Sequence, residues 1–519
     1  MSVKTDFPSG GTHPVLTCAE AKAWEAGLLK DEASEWAAME KAGESIGRAV
    51  LEDYQEIGGL PEKARVLVLV GKGHNGGDAL LAARTILALR PQSRAVVVLC
   101  FGAGDSRPLA ARSLDRLKAE ASGRVTMATS GEALVAGATY DLCLDGIFGF
   151  QFRAPMDAAT TAVIAAVNAH PGILFRAAVD LPSGVGETCA PVPFRADFTY
   201  ATGIVKRPVL AAGVADSVGR LRYLDLGFFN AAMPAATEHV LLASLLAPLA
   251  ALRSSQTDKR TFGHVLIVGG SRSFPGAVML AARAALRSGA GLVTAFVPAA
   301  LAPEYAAAHP EAMWVGCPET AKGGLAAGTL ELVREKLPRA TALLIGPGMS
   351  AEPEVIATVQ AIVRIANIPL VLDADALRPE VMAACRGRRV ICTPHAGEYE
   401  RLGGRSGLRP VPDDSSGTEI VAVLKGPITR IVVASGPTET GPAYYSLFGG
   451  PVLARGGSGD ILAGLTGGLL AQKPDHLLLA AARGVVWHGR AADLLARTHG
   501  QVAVEISQIL EQLGPGLHT

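Results

Sequence analysis

The chain has no apolar run approaching the roughly 20 residues needed to span a bilayer; its longest uncharged stretches, such as 288–303, are broken by glycine and proline. Its first residues, Met-Ser-Val-Lys-Thr-Asp-Phe-Pro, contain no apolar core of a signal peptide. A cytoplasmic location is therefore expected. Cysteine is sparse: seven residues, at 18, 100, 143, 189, 317, 385 and 392, with no C-x-x-C. That scatter argues against a disulfide framework or a zinc cluster and for reduced, buried thiols. Aromatics are only 5%, too few for a stacking platform for single-stranded bases. There is no excess of either charge, with 48 Lys plus Arg against 48 Asp plus Glu. A neutral chain has no broad electrostatic footprint for nucleic acid or an anionic membrane, so neither partner is expected.

What is present is a 519-residue chain, 49% apolar and 18% charged, enough for about two to four globular domains. Its 59 glycines gather in short clusters, the pattern of backbone-lined ligand sites. Short β-branched runs at 65–70, 95–100, 140–144, 172–179 and 198–205 end in Gly-rich turns and alternate with Ala/Leu-rich helical segments, including 79–89; residues 17–57 also read as helical. Continuous apolar strands of this kind are buried on both faces, as in parallel sheets covered by helices. A second series starts at 264–268 and continues at 292–297, 342–345, 370–372, 390–392, 422–424 and 431–434, with helices over 276–288 and 458–472. Between the series, 230–252 carries no strand signal and reads as a linker. The expectation is two three-layer α/β/α domains, 1–236 and 237–519, without an internal repeat. In open α/β sheets ligands sit beyond the carboxyl ends of the strands, which directs attention to the residues just after each run.

In the first half, the opening strand runs into Gly71-Lys72-Gly73-His74-Asn75-Gly76-Gly77-Asp78 and then a helix. Such glycines let backbone approach a ligand, and helix N-terminal amides favour phosphate; a tight turn capped by Asp78 is the alternative. Later runs end in Asp145-Gly146-Ile147-Phe148-Gly149, in Asp180-Leu181-Pro182-Ser183-Gly184 and at Lys206. A carboxylate at a strand end can merely cap the next helix, but two Asp, a Ser, an Asn and a Lys at successive strand ends point to a site. Asn75, Asp145 and Ser183 offer only hard oxygens, which suit a monovalent or alkaline-earth cation rather than zinc.

These motifs, in this order over roughly residues 15–230 and preceded by Met39-Glu40-Lys41-Ala42-Gly43, resemble the NAD(P)H-hydrate epimerases. The resemblance implies a Rossmann-like domain and a potassium ion on Asn75, Asp145 and Ser183. It also implies substrate contacts from His74, Asn75, Gly76, Gly77 and Asp78, from 149–155 including Gly149 and Arg153, and from Asp180; Asp180 and Lys206 are expected to assist proton transfer. His74 stands where that family usually has a second Asn, and Phe150 stands in a loop that there reads Gly-Thr-Gly.

In the second half the strongest motif is Ala454-Arg455-Gly456-Gly457-Ser458-Gly459-Asp460. Gly-Gly-Ser-Gly makes an amide-rich nest that can hold a phosphoryl group and stabilise its developing charge, and Asp460 can accept a proton from a substrate hydroxyl. Gly346-Pro347-Gly348, Asp373-Ala374-Asp375, Thr393-Pro394-His395 with Glu398, and Lys425-Gly426-Pro427-Ile428-Thr429 follow other strands. Lys425 could meet phosphate as a point charge. His395 reads either as a ligand contact or as a helix cap, and His488 as structural.

This set, over about 250–500, resembles the ribokinase-like superfamily and, more narrowly, the ADP/ATP-dependent NAD(P)H-hydrate dehydratases. The resemblance implies dinucleotide contacts from Ala277, Gly348, His395 and Asp460. It implies adenine-nucleotide contacts from Lys425, Gly426, Pro427, Ile428, Thr429, Gly456, Gly457, Ser458 and Gly459. Together the halves imply a metabolite-repair enzyme that epimerises R and S NADHX and NADPHX and dehydrates the S form with ADP, or ATP, and Mg2+. A homo-oligomer is expected. The alternatives are a ribokinase-like vitamin-precursor kinase and a first half that serves only as a dinucleotide-binding or dimerisation module.

Overall fold

The structure is a computed structural model that describes residues 7–518 except 9, 103–104, 405–416 and 435–440. It divides into two compact units. One is His13–Ala236 with Ala496–Gln501; the other is Met1–Thr12, Thr237–Leu495 and Val502–Thr519. The main division thus falls at 236, but the first residues go with the second unit and a short segment near the end with the first.

The first unit holds a seven-stranded sheet among the described residues, in the order Val125–Ala128, Arg94–Leu99, Arg65–Val70, Tyr140–Gly146, Ile173–Val179, Phe198–Thr202, Arg220–Leu224. Every pairing is parallel. The strand Arg65–Val70 shows why such runs lack alternation. Val66, Val68 and Val70 enter one apolar core, Leu67 and Leu69 the other, because helices cover both faces. The chain runs outward from this strand in one direction, then returns to its other side at Tyr140–Gly146. That reversal opens a crevice at the carboxyl ends of the two strands.

The second unit repeats this plan. Its sheet, again counting described residues, runs Met313–Cys317, Leu292–Pro298, His264–Val268, Ala342–Ile345, Leu370–Leu372, Arg389–Cys392, Glu419–Leu424, Thr429–Ala434, Ala443–Ser446, Glu238–Leu241. Its first seven strands are parallel, and Thr429–Ala434 runs antiparallel to both neighbours. The reversal falls between His264–Val268 and Ala342–Ile345. The two halves share no visible sequence repeat, yet they share this strand order.

Several expectations are corrected. The 230–252 segment is not a strandless linker, since Glu238–Leu241 pairs in parallel with Ala443–Ser446. Val125–Ala128, Arg220–Leu224, Met313–Cys317 and Ala443–Ser446 are further strands that the sequence reading did not pick out. All are short, at or near sheet edges, and partly polar, so their apolar signal is weak. The helix after the first strand begins at His74 rather than 79.

Candidate functional site

In the first unit the strand Arg65–Val70 and its neighbour Tyr140–Gly146 end side by side, with Gly71 N donating to Gly146 O at 3.0 Å. A Cβ on Gly71 would fall 1.9 Å from Ile147 O, so only glycine lets the two turns touch here. Gly73 caps the helix His74–Leu89 without a side-chain bond. His74, Asn75, Gly76, Gly77 and Asp78 are therefore helical, and Asp78 is not the cap that the alternative reading supposed. Its Oδ1 is instead shut off from solvent with no hydrogen-bond partner. Burial, together with the nearby Asp180 and Glu25 charges, holds its carboxyl well above the usual range.

Asp145, at the end of its strand, is fully buried. Its oxygens accept from Ser183 Oγ at 2.6 Å, Ser183 N at 2.7 Å and Ile147 N at 3.2 Å. Ser183 Oγ in turn accepts from Phe148 N at 2.9 Å, and Asn75 Nδ2 donates to Phe148 O at 2.9 Å. Asn75, Asp145 and Ser183 are thus brought into one linked, oxygen-rich cluster. Burial raises Asp145 to about 6 against the help of these donors.

A second cluster lies on the same cleft. Asp180 follows Ile173–Val179 with φ of 64°, left-handed backbone that Asp tolerates better than most residues. Lys206 Nζ donates to Asp180 Oδ1 at 2.7 Å and to Thr202 O at 3.2 Å, and its side chain is 1% exposed. Burial alone would lower this ammonium, but the carboxylates of Asp180 and Glu25 hold it above the ordinary lysine value. The Phe150 ring centroid is 4.8 Å from Lys206 Nζ, so the bulky residue in the 149–155 loop covers the ammonium. Asn75 of the first cluster and Asp180 and Lys206 of the second line a cleft of about 530 Å3, together with His74, Gly149 and the exposed Arg153, while Asp145 and Ser183 are buried behind it. Glu25, from the helix Cys18–Leu28, also lines it. The sequence reading missed Glu25, because a Glu in an amphipathic helix before the sheet looks like a solvated face.

In the second unit, Gly457 has φ of 94° and caps the helix Ser458–Gln472, which starts at the Gly-Gly-Ser-Gly motif as expected. Asp460 sits in its first turn, and burial, then the charge of Asp373, pushes its carboxyl up to about 7. Lys425 Nζ lies 3.0 Å from Asp373 Oδ1 and 3.7 Å from Glu398 Oε2, and a Cβ on Gly459 would be 3.3 Å from that ammonium. Thr393 Oγ1 donates to Asp373 Oδ1 at 2.6 Å. Gly346, with φ of 128°, packs so closely that a Cβ would fall 1.8 Å from Asp373 O, and a Cβ on Gly348 would be 3.0 Å from Ala277 Cβ. Four successive strand ends, those carrying Gly346, Asp373, Thr393 and Lys425, therefore converge on one place with the start of the helix Ser458–Gln472. Asp373, which no expectation named as a contact, is its hub.

His395 acts as the cap of the helix Ala396–Arg401. Its Nδ1 accepts from Gly397 N at 3.0 Å and Glu398 N at 3.3 Å, and Nε2, on the exposed edge of the ring, lies 3.4 Å from Glu398 Oε1. Lys425, Gly426, Pro427, Ile428 and Thr429 form the turn between two antiparallel strands, with Gly426 and Pro427 exposed. Gly456 has open space around its Cα, and Ser458 is buried. His488 is buried, with burial and then Lys425 lowering it to about 4. Among the described residues no group of three or more His, Cys, Asp or Glu is arranged to hold a metal, and no helix is long and apolar enough to cross a membrane.

A buried oxygen cluster beside a lysine–carboxylate pair in one α/β unit, and a glycine-rich helix start with an adjacent carboxylate in the other, give the chain two candidate enzyme sites. The comparisons with known proteins agree. Residues 265–514 match the family described as NAD(P)H-hydrate dehydratase, and residues 36–208 match the family described as YjeF-related protein N-terminus. The bifunctional NAD(P)H-hydrate repair enzyme Nnr of Gloeobacter violaceus is 37% identical, with 97% of each chain covered. The enzyme of the same description from Moorella thermoacetica is 33% identical over 92% of this chain and 91% of its own. An ADP/ATP-dependent NAD(P)H-hydrate dehydratase from Bacillus subtilis, co-crystallised with ATP and Mg2+, is 27% identical, with 53% of this chain and 96% of its own covered and a TM-score of 0.42. The chain belongs to the family of bifunctional NAD(P)H-hydrate repair enzymes. Relatives that span both halves leave no support for the vitamin-kinase alternative.

Proposed function

We propose that this chain restores NADH and NADPH from their hydrates. The first unit interconverts the R and S epimers at C6 of the reduced nicotinamide ring, and the second dehydrates the S epimer at the expense of ADP, giving AMP and phosphate. The observation that carries the reading is the convergence of the Gly456–Gly459 amides, Asp460 and Lys425 at one set of strand ends.

Hydroxide is a poor leaving group and phosphate a good one. Asp460 takes the proton of the C6 hydroxyl as it attacks the terminal phosphoryl group. The nest amides stabilise the negative charge that develops there, and Lys425 neutralises the nucleotide phosphates. Phosphate then departs as the ring nitrogen's electron pair forms an iminium at C6, and loss of a proton from C5 to solvent leaves its bonding pair as the C5=C6 bond of the restored ring while the π pair returns to N1. Gly348 and Ala277 shape the floor for the dinucleotide, and His395 presents its Nε2 edge to it. A Mg2+ would be held on the nucleotide phosphates and water, as a hard cation that keeps much of its own shell. It would screen the charge of the transferred group. In the first unit, Asn75, Asp145 and Ser183 fit a potassium ion by their oxygen-only donors and by the absence of a cationic side chain on buried Asp145. The ion would orient the dinucleotide phosphate. Asp180, hydrogen-bonded by Lys206, accepts the proton in epimerisation.

The test is a mixture of R and S hydrated NADH given the full chain with ADP or ATP, followed by recovery of the reduced nicotinamide absorbance. Full recovery is expected, with ADP preferred. Recovery of the S portion alone removes the epimerase role, and no recovery with either nucleotide removes the whole reading.

A further inference from the structure

The first unit's cleft holds more acid than the Asp180–Lys206 pair uses. Val15 and Leu16 lie beside Val205 and Lys206 in parallel register, Leu16 opposite Lys206. Thr17 then caps the helix Cys18–Leu28 with a capping box to Glu20. The strand therefore delivers the helix directly over Lys206, and two turns along it Glu25 Oε1 comes within 3.9 Å of Nζ. The charged groups around Glu25 are Lys206, Asp180 and Asp78. The Cys18 thiol, raised by burial to about 12, adds no charge. Three carboxyls thus share one ammonium. Ionising all three would leave net negative charge in a desolvated floor, so protons are retained there.

The three are not equivalent. Asp180 has the direct 2.7 Å bond to Lys206. Asp78 has an oxygen sealed from solvent. Asp78 lines the cleft as well but with that oxygen sealed, whereas Glu25 lines it with its side chain 21% exposed and so combines a retained proton with access. Burial pushes it up to about 7, against the pull of Lys206 and with the push of Asp180.

We propose that Glu25 is the general acid of the epimerase site, the partner that Asp180 needs as base; the proposal rests on the reading of the first unit as an NAD(P)H-hydrate epimerase. Glu25 protonates the C6 hydroxyl. The C6–O bond breaks with its electron pair leaving on water, and the N1 lone pair forms the N1=C6 bond. Solvent water then adds to the opposite face, the π pair returns to N1, and Asp180 takes the proton the water sheds. One water leaves and one enters. The proton returns from Asp180 to Glu25 through solvent or Lys206 Nζ, which lies within 2.7 Å of one and 3.9 Å of the other.

The experiment follows conversion of the R hydrate by the full chain, with the second unit's dehydration as reporter, across the neutral pH range. Glu25→Gln is expected to slow R-epimer use by about 10²-fold or more and to flatten the pH dependence near 7, with S-epimer dehydration unchanged. Glu25→Asp, which keeps the acid on a shorter stem, is expected to recover part of the rate and the inflection. A Glu25→Gln enzyme with wild-type rate and pH profile overturns the proposal. So do two variants that lose activity equally along with the melting temperature of the first unit, since that marks a purely structural group. A wild-type chain that leaves the R epimer unconverted instead removes the epimerase reading, and the proposal with it.

Discussion

At the scale of residues, the acids that matter are those whose burial competes with their charge. Asp460 is the clearest. With its carboxyl raised to about 7, it is largely protonated below that pH and cannot act as a base. Nucleotide-dependent dehydration should therefore rise as pH increases through about 7. Asp460→Asn should lower it by at least roughly 10²-fold, measured with pure S hydrate under saturating nucleotide. The same shift has a stability consequence of opposite sense. A carboxyl that holds its proton more tightly when folded loses that contribution as pH rises from the unfolded range near ~4 to about 7. Asp180→Asn should abolish R-epimer use while S-epimer repair persists; unchanged R turnover would remove Asp180 from the mechanism. Most of these groups were legible in the sequence because each follows an apolar run. Glu25 was not, since nothing in a helix sequence says which carboxyl will be carried over a buried lysine. His395 was legible as a position but ambiguous in role, and its cap bonds are visible only in three dimensions.

At the scale of elements, local chemistry sets where each helix starts and hence where each site residue lies. The reciprocal bonds between Thr17 and Glu20 start the helix that carries Glu25. Thr17→Ala should cost about 1 kcal/mol, read as a lower urea midpoint for the first unit. Gly346 is held at a positive φ against the Asp373 carbonyl. Gly346→Ala should cost roughly 1–3 kcal/mol from backbone strain alone, and more from the overlap, seen in thermal unfolding together with weaker nucleotide binding as Asp373 shifts. The central strands were readable from the sequence because burial on both faces makes them continuously apolar. Short strands such as Val125–Ala128 and Glu238–Leu241 were not, because a partly exposed strand carries polar residues and reads as loop. The helix at His74 begins with Asn and two glycines, poor helix formers, and only its contact with the strand ends draws them into the first turns.

At the scale of the whole molecule, each unit carries its own candidate site at its own strand ends, so the two activities should be separable. Removing K+ should slow R-epimer conversion and leave S-epimer dehydration unaltered, checked by exchange into a buffer with a large organic cation. A mixture of Asp180→Asn and Asp460→Asn chains, each unable to repair an R hydrate, should together restore full recovery, because the S epimer made by one is free in solution for the other. Failure of that complementation would mean the intermediate must pass within one chain.

The sequence by itself determined that there are two α/β halves, and it set their strand-end motifs and the glycine nest. All of these follow from short-range rules of apolar runs, turns and helix starts. Only the tertiary structure decided that both halves share one strand order, that Asp373 joins its own strand end to those carrying Gly346, Thr393 and Lys425, and that Glu25 and Asp78 crowd a single lysine. Those facts depend on which distant segments become neighbours, and burial, which sets the carboxyl protonation states, exists only once they do.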